Sequence, residues 1–220
     1  MKKKKIFIAC DTTNLKKAKR IIAQSKTNKL KIGYKFGLEF MNSKVGRKFI
    51  GTLKNKTIFI DLKLHDTVNT MLSAVKALKD LKIDYLTVHI SSGLTALKAV
   101  KKISGSKKIV GVSTLTSLND HDLKMIGYNK SVKKLVAHQS KLANKANLDA
   151  IVCSPYEVDL VRKIFKGEII TPGVQIGKKN YDQKRSMEAK KVESDWLVIG
   201  RSITKGNIKD NINNLIQELT

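Results

Sequence analysis

Thr57-Ile58-Phe59-Ile60-Asp61-Leu62-Lys63-Leu64-His65-Asp66-Thr67-Val68-Asn69-Thr70 sets the reading of the whole chain. Ile58-Phe59-Ile60 is β-branched and aromatic with no polar interruption, which predicts a strand buried on both faces. The run ends abruptly in Asp61, Lys63 and Asp66. Strand residues alternate faces, so Asp61 and Lys63 are expected to leave the strand end on the same side. Asp66 falls at the start of an amphipathic pattern (Val68, Met71, Leu72, Val75, Leu78), where a carboxylate suits a helix N-terminus. A lone acid here would be a cap. An acid, a lysine two residues on and a second acid at the helix start suggest chemistry.

The same rhythm runs through the chain. Short apolar runs at 6–10, 30–34, 83–88, 108–112, 150–153, 168–170 and 196–199 read as further strands. Helical patterns follow at 14–25, 38–50 (Leu38, Met41, Val45 and Phe49 inward), 94–103, 119–127, 131–146, 158–165 and 208–219. Eight strand–helix units imply a parallel sheet, because parallel crossovers need helix-sized connections. The fold class is therefore α/β, a single-domain (β/α)8 TIM barrel over residues 1–220. A doubly wound open sheet is the alternative, but the first strand–turn–helix has no glycine-rich phosphate fingerprint.

A barrel of this kind carries its active site at the C-terminal strand ends. There the sequence delivers Asp11, Lys35, Asp61, Lys63 and Asp66, then Thr116-Ser117, the Thr171-Pro172-Gly173 turn and Gly200-Arg201-Ser202. Opposite charges ~4 Å apart attract by about 4 kcal/mol at an effective dielectric of about 20. An alternating Lys35–Asp61–Lys63–Asp66 array would keep both lysines protonated and both acids ionised. Glycines allow close backbone approach and Arg201 can grip a phosphate with two hydrogen bonds, so the last two loops read as an anion site. His89 reads as a hydrogen-bonded core histidine rather than a catalytic base, and His65 as structural. No histidine or cysteine spacing suggests a metal site.

The formal net charge is +26, which raises nucleic acid or an anionic membrane as partners. The lysines are spread over every segment and no basic–aromatic platform occurs, so neither partner is expected. Cys10 and Cys153 read as free, buried thiols, in keeping with a reducing, cytoplasmic location. No apolar run approaches the ~20 residues of a membrane span.

Taken together, Asp61-Leu62-Lys63-Leu64-His65-Asp66-Thr67-Val68-Asn69-Thr70, Asp11, Lys35, Leu115-Thr116-Ser117, Thr171-Pro172-Gly173, Asp182-Gln183-Lys184-Arg185 and Ile199-Gly200-Arg201-Ser202 resemble the orotidine 5'-phosphate decarboxylase family. The resemblance implies a cofactor-free decarboxylation of orotidine 5'-monophosphate to UMP, with no metal. It implies that Lys63 protonates C6 of the pyrimidine, that Asp61 faces the departing carboxylate, and that Lys35 and Asp66 hold the array. It implies a homodimer in which Asp66 and Thr70 cross the interface. Asp11 would meet the ribose, Thr116 the pyrimidine, and Gln183, Gly200 and Arg201 the phosphate side. One departure is Gln175, where many bacterial members have arginine. Metal-dependent sugar-phosphate decarboxylases and aldolases of the same suprafamily share the strand-three motif but typically place an acid where Lys35 stands. A basic RNA-binding protein on an inactive barrel is the remaining alternative.

Overall fold

The computed structural model describes residues 3–177 and 187–219. Eight parallel strands close into a barrel: β1 (Lys5–Ala9), β2 (Lys31–Gly37), β3 (Thr57–Leu64), β4 (Tyr85–His89), β5 (Lys108–Val112), β6 (Ala150–Val152), β7 (Glu168–Thr171) and β10 (Trp196–Ile199). Two short segments, β8 (Val174–Gln175) and β9 (Met187–Glu188), pair with each other outside it. β10 closes the ring between β7 and β1. The expected (β/α)8 architecture is thus the observed one.

Each strand is apolar on both sides because it is buried on both sides. Outward residues such as Ile6, Ile8, Ile58, Ile60, Leu86 and Ile199 pack under the helices. Inward residues Phe7, Phe59, Tyr85, Val110, Ile170 and Trp196 fill the barrel. Phe7 and Trp196 stack with ring centroids 3.9 Å apart, and Phe59 lies 4.9 Å from Phe7.

Below this aromatic layer, the N-terminal mouth is closed by residues that begin their strands. Glu168 takes Lys5 on one oxygen at 2.9 Å and Lys108 on the other at 2.8 Å; the Tyr85 hydroxyl donates to the second at 2.8 Å. Burial would push this carboxyl up, but hydrogen bonds from Lys108, Lys5 and Tyr85 outweigh it and bring its pKa to about 2.

The helices largely follow the expected ranges. Asn14 caps Leu15–Gln24 by accepting from the Lys17 N–H, and Asn119 and Asp122 form a reciprocal capping box on Asp120–Met125. The expected helix over 38–50 is instead two pieces, Leu38–Met41 and Gly46–Thr52. The chain folds back at Ser43, whose hydroxyl donates to the Phe40 carbonyl at 2.7 Å. Gly46 then lies so close to that carbonyl that a Cβ would collide with it. The break also changes which side chains point inward. Leu38 is 52% exposed, and Phe40 is buried against Phe36 and Phe49. Cys10 and Cys153 are buried, as expected. Among the described residues no helix is long and apolar enough to cross a membrane.

The Glu168 cluster generates a pH-dependent prediction. A carboxyl depressed in the folded state stabilises above its ordinary pKa of 4.5, and that contribution is lost as pH falls toward about 2. Glu168→Gln should therefore unfold at lower denaturant concentration than wild type at pH 7. The gap should narrow as both are acidified below 4.5. Equal midpoints at pH 7 in equilibrium denaturation would contradict this role.

Candidate active site

The C-terminal mouth of the barrel opens into a cavity of about 270 Å³. Its floor is apolar, with Ala9, Phe59, Val112, Val152 and Val198. One wall carries charges from β1, β2 and β3. The opposite wall is backbone and loop from β7 and β10, including Gly173, Gln175, Gly200 and Arg201.

The charges form one connected array. Lys63 Nζ lies 2.9 Å from Asp61 Oδ2, and Lys35 Nζ lies 3.5 Å from the same oxygen. Lys35 also reaches Asp11 Oδ1 at 3.2 Å. The other oxygen of Asp61 accepts from the Thr87 hydroxyl at 3.1 Å. Lys35, Asp61 and Lys63 of the expected alternation are therefore joined within one chain, and Asp11 extends the array at Lys35.

Burial decides how these groups titrate. The side chains of Lys35 and Asp61 are each only 12% exposed. Burial would neutralise both. For Lys35 it acts to lower the pKa, but Asp61 and then Asp11, through charge and hydrogen bonds, raise it above the ordinary lysine value. For Asp61 burial acts upward, but Lys35, Lys63 and the Lys63 and Thr87 hydrogen bonds hold it below the usual carboxylate range. Both groups are thus charged at neutral pH, and each depends on the other.

The backbone reaches this arrangement by an unexpected route. Lys63 does not continue a regular pleat, since its φ is +50°, in the left-handed region. Asp61 and Lys63 do converge as expected, although through a distorted strand end rather than through simple alternation.

The remaining expected residues divide into three groups. Thr116, Gly200 and Arg201 line the cavity with Asp11, Lys35, Asp61 and Lys63. Asp66 and Thr70 are exposed and outside that lining: Asp66 Oδ1 accepts from the Thr67 N–H at 2.6 Å, and the Thr67 and Thr70 hydroxyls are 3.0 Å apart. Gln183 lies outside the described residues.

Thr87 and His89 were missed or misread in the sequence, and the departure at Gln175 falls in the cavity wall. Thr87 is wholly buried beneath Asp61. Gln175 is 8% exposed, and among the described residues its Oε1 has no hydrogen-bond partner although it lines the cavity. His89, expected to be a hydrogen-bonded core residue, has an Nδ1 without a partner among the described residues. Its ring instead stacks on His65, centroids 5.3 Å apart. Burial, then His65 and Lys63, lower its pKa, so it is neutral at pH 7.

The model of the orotidine 5'-phosphate decarboxylase / HUMPS family matches residues 4–210 of this chain. Orotidine 5'-phosphate decarboxylase of Buchnera aphidicola subsp. Acyrthosiphon pisum (strain Tuc7) is 40% identical over 212 residues, covering 91% of this chain and 89% of the relative. The enzyme of that name from Wolbachia sp. subsp. Brugia malayi (strain TRS) is 40% identical over 223 residues, covering 96% of each. The crystal structure of orotidine 5'-phosphate decarboxylase from Lactobacillus acidophilus superposes with a TM-score of 0.83 over 99% of both chains, at 27% identity.

The mutual dependence of Lys35 and Asp61 is open to measurement. In Asp61→Asn, burial of Lys35 is opposed mainly by the more exposed Asp11, so its pKa should fall. Titration of the lysine ammonium groups by 15N NMR reads this directly. An unmoved Lys35 would mean that Asp61 is not its principal partner.

Proposed function

The chain belongs to the orotidine 5'-phosphate decarboxylase / HUMPS family, and on that premise we propose that its cavity decarboxylates orotidine 5'-monophosphate to UMP, a step of pyrimidine biosynthesis. The observation that carries the reading is Asp61 gripped by two ammonium groups at the mouth of a cavity. The C6–carboxylate bond breaks, its electron pair stays on C6, and carbon dioxide leaves. The Lys63 ammonium then gives its proton to C6. A fixed cation at that point stabilises charge that develops only in the transition state. Asp61, already ionised, faces the departing carboxylate, and Lys35 keeps it in place.

The opposite wall would take the phosphate. Gly173 has φ +74°, which suits the tight turn that brings backbone to the cavity. Arg201 begins the short helix after β10 and offers two parallel hydrogen bonds. Gly200 belongs to the same phosphate end, Asp11 to the ribose and Thr116 to the pyrimidine. Asp66 and Thr70 lie outside their own chain's cavity lining. In a homodimer they would complete the site of the partner subunit.

Lys35 separates this reading from the metal-dependent sugar-phosphate chemistry of the suprafamily. Its ammonium lies 3.5 Å from the Asp61 carboxylate, where it would repel a divalent cation sharing that oxygen. The chain should therefore consume orotidine 5'-monophosphate in metal-free buffer, followed by absorbance. Loss of that activity with chelator and its return with magnesium would favour the alternative.

Two substitutions test the division of labour. Lys63→Ala should lower turnover by about a thousandfold or more while UMP still binds. Near-normal turnover would remove Lys63 from the proton-transfer step. Arg201→Ala should weaken UMP binding by about tenfold or more, an effect expected of a charge-assisted, two-pronged phosphate contact. Unchanged UMP affinity in calorimetry would place the phosphate elsewhere.

A further inference from the structure

The pairing of β3 with β4 contains an irregularity at the functional residues. Phe59 pairs with Tyr85 and Ile60 with Leu86, but the next pair is Leu64 with Val88. Three residues of β3, Asp61, Leu62 and Lys63, therefore face one residue of β4, Thr87. A regular ladder would satisfy the Lys63 N–H with a backbone carbonyl. Here the Thr87 side chain takes it, with Lys63 N to Thr87 Oγ1 at 2.7 Å. The same hydroxyl donates its proton to Asp61 Oδ1 at 3.1 Å.

We propose that Thr87 is the positioning residue of this site, its hydroxyl locking the backbone of Lys63 to the carboxylate of Asp61. The proposal rests on the decarboxylase reading of the same cavity. One oxygen performs two tasks. It accepts from the residue whose φ of +50° is costly for a side chain with a Cβ, and so offsets the departure from the ladder. It also orients Asp61, because a hydroxyl that accepts the Lys63 N–H has its proton directed away from that bond, toward the acid. The remaining oxygen of Asp61 then meets Lys35 and Lys63. Bulges recur next to active sites, where an extra residue re-aims a side chain. Thr87 has no exposed surface, so it acts through Lys63 and Asp61 and not on the ligand.

A space-filling role and a hydrogen-bonding role make different predictions. Thr87→Val keeps the β-branched shape and loses the hydroxyl. Thr87→Ser keeps the hydroxyl and loses a methyl. In the full-length protein, kcat for orotidine 5'-monophosphate should fall about tenfold to a hundredfold in Thr87→Val, the scale of a small misplacement of reacting groups, with KM nearly constant. Thr87→Ser should retain most of the wild-type kcat. Amide hydrogen exchange at Lys63 should be slow in wild type and Thr87→Ser and at least about tenfold faster in Thr87→Val, because its acceptor is gone. If Thr87→Val does not fold, Thr87→Ala against Thr87→Ser makes the same comparison, since the pair differs only in the hydroxyl. Wild-type kcat in the valine variant, equal losses in the valine and serine variants, or unchanged Lys63 exchange would each overturn the proposal. A wild-type protein that fails to consume the nucleotide would instead overturn the decarboxylase reading, and the exchange measurement would still decide whether Thr87 holds Lys63.

Discussion

Everything at the functional end depends on one carboxylate shared by two ammonium groups. Asp61 is almost buried, and so is Lys35. Either charge alone would be expelled or neutralised, since leaving one member of a buried pair unpartnered typically costs about 3–5 kcal/mol. Together they hold their ionised forms and fix the position of Lys63, which is more exposed and faces the cavity. In the proposed decarboxylation such a fixed field would act as electrostatic preorganisation, with little reorganisation needed during reaction.

The other end of the barrel repeats the same composition for a different purpose. Glu168 sits between Lys5 and Lys108 with the Tyr85 hydroxyl, as Asp61 sits between Lys35 and Lys63 with the Thr87 hydroxyl. A chain with 44 basic and 18 acidic residues has few carboxylates to share, and each of these serves two lysines. The lower cluster caps an aromatic layer. The upper one borders a cavity, so its cations can meet a ligand. The layer of Phe7, Phe59, Tyr85 and Trp196 between them separates the two clusters.

Much of this was legible in the sequence, for a physical reason. Strands buried on both faces leave unbroken apolar runs, and a charge at the end of such a run is conspicuous; Asp11, Lys35, Asp61 and Lys63 were all found that way. What was not legible depends on relations between distant segments. Glu168 and Lys5 meet across the closed barrel, and nothing in either local pattern announces it. The break between Leu38 and Thr52 is hidden under a continuous helical periodicity, and only the approach of Gly46 to Phe40 reveals it. His89 looked like an ordinary core histidine because its missing partner is a property of its surroundings.

The convergence of Asp61 and Lys63 shows the limit of periodicity most clearly. Alternation predicts that residues two apart share a face, and the two side chains do meet. Yet the pairing skips from Leu86 to Val88 while β3 advances from Ile60 to Leu64, and Lys63 turns into the left-handed region. Simple alternation would have kept the Lys63 amide in the ladder and required nothing special of β4. The observed bulge removes that amide from the ladder and creates the need for a side-chain acceptor at one position only. A motif read on a single strand is therefore incomplete as a description of this site. The aspartate and lysine supply the charges, and a buried hydroxyl on the neighbouring strand makes their spacing structurally possible.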